Sequence, residues 1–123
     1  MLDLPVFRLA KASSDVADVL GEGDDCRVYP FGEAPKNVAH PYAVYQLIGG
    51  QPQNYLAESP DADSALVQID VYGGSPSAVR AAVKALAQAV ESGGYITRWG
   101  ARSRDPKTRN YHIGFDAEFL IER

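Results

Sequence analysis

The strongest constraint on folding is an alanine-rich amphipathic run between residues 75 and 94. Ser75-Pro76 supplies an N-cap and a first helical residue with preset φ, and Gly93-Gly94 stops the run. Apolar side chains recur within it at helical spacing, and charged or polar ones occupy the opposite face. A helix of this kind needs a partner for its apolar side, and small alanines allow close packing on a sheet. Its apolar positions are Val79, Ala82, Val83, Leu86, Ala87 and Val90; Arg80, Lys84, Gln88 and Glu91 face water.

Several segments have the patterns of strands that would form that sheet. Residues 66–72 alternate between apolar and polar side chains, which predicts a half-buried strand. Residues 26–31 and 42–48 are rich in β-branched and aromatic residues and are also predicted strands. Residues 95–102 and 111–122 flank a polar connector, a pattern that predicts a long β-hairpin.

The N-terminal part and the middle of the chain complete the predicted organisation. Residues 4–20 have helical spacing, and the cap chemistry of Ser13-Ser14-Asp15 indicates two helical pieces joined at Ser14. Residues 49–63, with two glycines and two prolines, are predicted to be the longest irregular stretch, a surface loop. The expected fold is α+β. One domain spans residues 1–123, and its two main helices pack on a mostly antiparallel sheet with a long C-terminal β-hairpin.

Composition narrows the class of protein. The chain has 123 residues, enough for one core, with 12 basic and 16 acidic side chains and a net charge of -4. This balance argues against a surface built for broad attraction to nucleic-acid phosphates. A single cysteine, Cys26, rules out an internal disulfide and a multi-thiolate metal site. With no signal-like start and no long apolar stretch, we expect a soluble cytoplasmic protein without a membrane partner.

Motifs for chemistry are weak. Asp61-Ala62-Asp63-Ser64 could open a calcium loop, but Leu66 and Tyr72 stand where that loop needs glycine and glutamate. The sequence lacks a phosphate-binding glycine loop and a nucleophile elbow. We therefore predict no cofactor, no metal and no enzymatic activity; a small enzyme would have to rely on His112, Asp116 and Asp70.

Charge segregation is the feature that rises above background. Five basic residues crowd the predicted hairpin of an otherwise acidic protein, and this predicts a projecting basic tip. Such a tip can dock on an acidic protein surface or on DNA, although an ordinary soluble hairpin also collects charge. Tyr95 and Trp99 beside it favour core packing, with base stacking as the alternative. The basic residues are Arg98, Arg102, Arg104, Lys107 and Arg109.

Four segments together resemble a known family. They are residues 41–46 (PYAVYQ), a loop holding Asn54-Tyr55-Leu56, residues 65–72 (ALVQIDVY) before the alanine-rich helix, and residues 111–119 (YHIGFDAEF). The opening helix and residues 27–30 (RVYP) fit as well. Over nearly its whole length the chain is similar to the tail completion proteins of long-tailed bacteriophages, also called tail terminator or head-tail joining proteins.

The resemblance implies a structural role. Six copies would form a ring that caps the tail tube, stops its polymerisation and presents a surface to the head-tail connector protein. The partners would be other copies of the chain, the tail tube protein and the connector, with DNA contact only through the ring lumen. The protein would reside in the virion at the tail-neck junction and in the host cytoplasm during assembly.

Two regions are the expected contact elements within this role. They are residues 50–63, with Asn54 and Tyr55, and the hairpin tip at residues 102–110, chosen for their length, polarity and charge. The alternatives are another head-tail adaptor or neck protein, and a small nucleic-acid-binding module that uses the arginine-rich hairpin.

Overall fold

The computed structural model describes residues 4–53 and 62–122. Within these residues, five strands form one sheet in the order β1-β2-β3-β5-β4, and three α-helices accompany it. The helices are α1 (Val6–Lys11), α2 (Ser14–Leu20) and α3 (Pro76–Glu91), with a short 3₁₀ turn at Gly23–Asp25. The strands are β1 (Val28–Pro30), β2 (Tyr42–Gln53), β3 (Ala62–Gly73), β4 (Tyr95–Arg104) and β5 (Tyr111–Glu122).

The helices begin where cap residues predict. The Ser13 hydroxyl accepts a hydrogen bond from the Val16 amide at 3.2 Å, so the N-terminal helical segment is divided into α1 and α2 as expected. The Ser75 hydroxyl accepts from the Ala78 amide at 3.2 Å, with Pro76 in the first turn of α3. The α+β prediction is confirmed, and the long C-terminal hairpin is β4-β5.

All six predicted apolar positions of α3 are buried. Two further alanines, Ala85 and Ala89, are buried as well, because α2 and α1 pack alongside α3. The helices cover one face of the sheet, and the core between the two layers includes Ile69, Phe115 and Phe119. Cys26 is buried at 2% exposure, as expected for a small core residue.

The middle of the sheet corrects the prediction of an irregular stretch at residues 49–63. Residues 49–53 continue β2 and residues 62–63 begin β3, with Gly50 opposite Ala65 and Gln53 opposite Ala62. A Cβ on Gly50 would lie 2.5 Å from the Ser64 carbonyl oxygen, so glycine permits this close approach. Pro52 lacks an amide, but it lies beyond the three residues of β2 that pair with β1, where the outer side of β2 has no strand.

The first predicted strand is also shorter than expected. Of residues 26–31 only Val28–Pro30 are strand, and they pair in parallel with residues 43–45 of β2. The Arg27 amide instead donates to the Leu20 carbonyl at 2.7 Å, which ties this segment to the end of α2. Parallel pairing of β1 is the one exception to an otherwise antiparallel sheet in the described residues.

Candidate interaction surfaces

The predicted basic hairpin is present and its tip has a defined shape. One oxygen of Asp105 accepts from the Lys107 amide at 2.8 Å and from the Thr108 amide at 3.2 Å. These donors, Lys107 first, lower the pKa of Asp105. Arg109 then adopts a positive φ of 64°, and the Asp105 amide donates to the Asn110 carbonyl at 2.8 Å. The tip therefore projects its charges from an ordered turn.

The basic residues predicted from the sequence divide between the two faces of the hairpin. Arg102, Arg104, Lys107 and Arg109 are exposed. The Arg104 guanidinium lies 4.7 Å from the centre of the Tyr111 ring, and its Nε donates to the Arg109 carbonyl at 3.2 Å. Because Tyr111 and Ile113 lie opposite Arg104 and Arg102 on β5, these two arginines are on the helix side of the sheet.

Arg98 is on the open face instead. Its Nε donates to an oxygen of Asp116 at 2.9 Å, while Asp116 itself is only 6% exposed. The second Asp116 oxygen is buried without a hydrogen-bond partner among the described residues. The ion pair therefore holds Arg98 away from the tip and neutralises a buried carboxylate, whose partner is hard to remove without cost.

Aromatic side chains run across the open face of the sheet. The rings of Tyr42 and Tyr72 stack at 5.3 Å, and Tyr72 stacks on His112 at 4.8 Å. Burial, and then the charge of Asp70, raise the pKa of Tyr72. His40 meets the edge of Tyr42, with 5.5 Å between the ring centres. This ladder joins β2, β3 and β5 on the side that carries no helix.

His112 lies between a carboxylate and a hydroxyl. Its Nε2 is 2.7 Å from Asp70 Oδ1, and its Nδ1 is 3.1 Å from Ser103 Oγ. The three residue types are those of a hydrolytic triad. The cavity that Ser103 and His112 help to line is about 40 Å³, room for about one water and none for a substrate. The arrangement instead ties β4, β5 and β3 together through side chains.

Sequence reasoning missed the exposed apolar residues at both ends of the sheet. Trp99 on β4 is 60% exposed and Tyr95 is 56% exposed, so the expectation of core packing for these two aromatics is wrong. One edge of the indole still touches Phe115, at 5.6 Å between ring centres. Phe31, Leu47 and Ile48 are exposed near the opposite end of the sheet. Their strand-like patterns predicted burial, and only the position of each strand in the sheet shows otherwise.

A groove of about 550 Å³ lies between α1 and β1. Leu4, Phe7, Val28 and Pro30 contribute apolar surface to it, and Arg8 and Asp24 are polar members of its lining. Asp24 is highly exposed and pairs with Lys11 at 2.6 Å. Tyr45 and Cys26 also line it.

Other sequence predictions have no geometry to compare. Asn54 and Tyr55 lie outside the described residues. Within the parts of the chain that are described, no group of three or more His, Cys, Asp or Glu side chains could hold a metal ion. No helix there is long and apolar enough to cross a membrane.

Comparison with known proteins places this fold in a family. A search of curated proteins finds no match. Among solved structures, a chain of the virion of a native gene transfer agent particle superimposes with a TM-score of 0.74 at 16% sequence identity. The match covers 96% of this chain and 92% of the other, and it shows a shared fold. The model of the family described as tail completion protein gp17 matches residues 5–122. The chain thus belongs to the tail completion protein gp17 family of bacteriophage tail structural proteins.

Proposed function

We propose that this protein is a tail terminator. Six copies form a ring that caps the tail tube, stops its polymerisation and joins the tail to the head connector. Family membership over residues 5–122 is the observation that carries the proposal. It acts in the virion at the tail-neck junction and is present in the host cytoplasm during assembly.

The shape of the chain suits a subunit that contacts several neighbours. Two strands, β1 and β4, are the ends of the sheet, so each copy has two lateral surfaces. The ordered basic tip projects from one end of the β4-β5 hairpin and can reach a ring stacked above or below. Charge on a projecting tip gives orientation and fast docking on an acidic partner. We assign the tip to the tail tube or the connector, and the sheet ends to copies of the chain.

Native mass spectrometry with and without the tail tube protein tests the ring. We expect a six-subunit species, either free or only on tube ends, together with tubes of limited length in electron micrographs. A chain that stays monomeric in the presence of tubes, and leaves tube growth unchanged, would contradict the terminator role.

A nucleic-acid-binding module is the second candidate function, and the exposed Trp99 beside basic residues favours it. DNA passing through the ring lumen is the setting in which both roles hold. Binding of DNA should then fall steeply with salt, and neutralising Arg104, Lys107 and Arg109 should flatten that slope. Salt-independent or absent DNA binding removes this candidate and leaves the terminator role intact.

A further inference from the structure

The two ends of the sheet carry opposite charge. Residues 98–109 contain five basic side chains and one acidic one, and they lie on the β4 side. Residues 14–25 contain five acidic side chains and no basic one, and they lead into β1 at the other end. Asp24, from this acidic segment, lines the α1-β1 groove. A second copy of the chain therefore presents to each end a surface of opposite charge.

The apolar features of the two ends match as well. Trp99 stands out from β4 on the helix side of the sheet, since it lies opposite the core residue Phe115. The groove at the other end lies on that same side, between α1 and β1. At about 550 Å³ it is in the size range of pockets that bury small ligands, and it can accept an indole. A buried tryptophan in a central pocket is a frequent source of binding energy between proteins.

Backbone pairing between the two ends is a poorer fit than side-chain insertion. β1 offers only three residues, and Pro30 among them has no amide to donate. β4 has register irregularities between Ile96 and Arg98 and between Trp99 and Arg102. Irregular, charged edge strands resist continuous strand addition. The contact between copies must therefore depend on side chains.

We infer that Trp99 of one copy inserts into the α1-β1 groove of the next copy, with Arg102 directed toward the acidic segment around Asp24. This assignment rests on the proposed ring and names the surfaces that close it. Each copy contributes the tryptophan at one end and the groove at the other, so the contact is heterologous. Repetition of a heterologous contact closes a ring when the rotation per subunit is right.

The chain provides its own reporter, because Trp99 is its only tryptophan. Fluorescence and analytical ultracentrifugation are measured over the same concentration series, with the tube protein added if the chain alone stays monomeric. We expect the emission to shift to the blue with the same midpoint as oligomer formation, since the exposed indole becomes buried. Oligomers that form without a blue shift would overturn this inference and leave the ring standing. Absence of any oligomer would overturn both.

Two variants separate the contact from a general loss of apolar surface. Trp99→Ala should weaken oligomer formation by on the order of tenfold or more. Leu120→Ala is the matched control, because Leu120 is 61% exposed against 60% for Trp99 but lies on β5 and not at an end of the sheet. Equal oligomerisation of the two variants would refute the assignment.

Cross-linking identifies the groove directly. A benzoylphenylalanine placed at position 99 should, on irradiation, join to peptides that contain residues 4–8 or 24–30 of another copy. Cross-links that map to other segments in assembled protein would overturn the assignment of the groove.

Discussion

Gly50 is a position where a single methyl group should matter. The Cβ of an alanine there would lie 2.5 Å from the backbone oxygen of Ser64, which cannot move away as a side chain can. We expect Gly50→Ala to lower the free energy of unfolding by about 1–3 kcal/mol, as other overpacked sites do. Gly74→Ala is the control, because nothing lies within 4 Å of its Cβ. Urea unfolding of both variants measures the difference; equal stability would mean that β2 does not approach β3 so closely.

Tyr72 predicts how stability changes at high pH. Burial, followed by the charge of Asp70, raises the pKa of Tyr72 above its ordinary value of 10.0. A pKa that is higher in the folded state gives stability that is present below the unfolded pKa and lost as pH rises through the folded pKa. Between about pH 9 and 11, the Tyr72→Phe variant should therefore lose less stability than the native protein. Urea midpoints at several pH values give the comparison, and parallel curves would contradict it.

Helix α3 depends on its cap more than its length suggests. The Ser75 hydroxyl satisfies the Ala78 amide, which otherwise has no partner at the start of the helix. We expect Ser75→Ala to destabilise the fold by about 1 kcal/mol. Ser77→Ala in the same turn should be nearly neutral, because Ser77 is exposed and alanine has the higher helix propensity. Thermal unfolding of the pair is the measurement, and an equal effect of both changes would argue against a capping role.

Element boundaries were predictable from the sequence where local chemistry sets them, and not where pairing does. Ser13, Ser75 and Pro76 mark helix starts through their own side chains, so their roles were predictable. Gly49, Gly50 and Pro52 resemble loop residues, yet pairing with β3 places them in β2. Strand partners are distant in sequence, so no local pattern could indicate this extension.

The basic tip should affect docking and not folding. Reversing Arg104, Lys107 and Arg109 to glutamate should leave the melting temperature nearly unchanged, because these side chains are exposed. Attachment to the tail tube or the connector should weaken by on the order of tenfold or more, and more so at low salt. A pull-down against each partner measures it.

The control for the tip carries the same charge change elsewhere. Exposed Lys36, Arg80 and Lys84 changed to glutamate leave the hairpin untouched. We expect this triple variant to dock normally. If both triple variants lose docking equally, net charge and not the tip is responsible.

The sequence by itself determined the α+β class, helix α3 with its buried face, the β4-β5 hairpin, and the family resemblance that the family model confirms. These depend on periodicity, caps and turn chemistry, which are local. It also located five basic residues on one hairpin, but only the tertiary structure separated Arg98, paired with Asp116, from the exposed tip. The exposure of Trp99 and the α1-β1 groove were likewise decided by the fold. Which strand lies at the end of a sheet depends on pairing between distant segments, and that pairing determines whether an apolar side chain becomes core or contact surface.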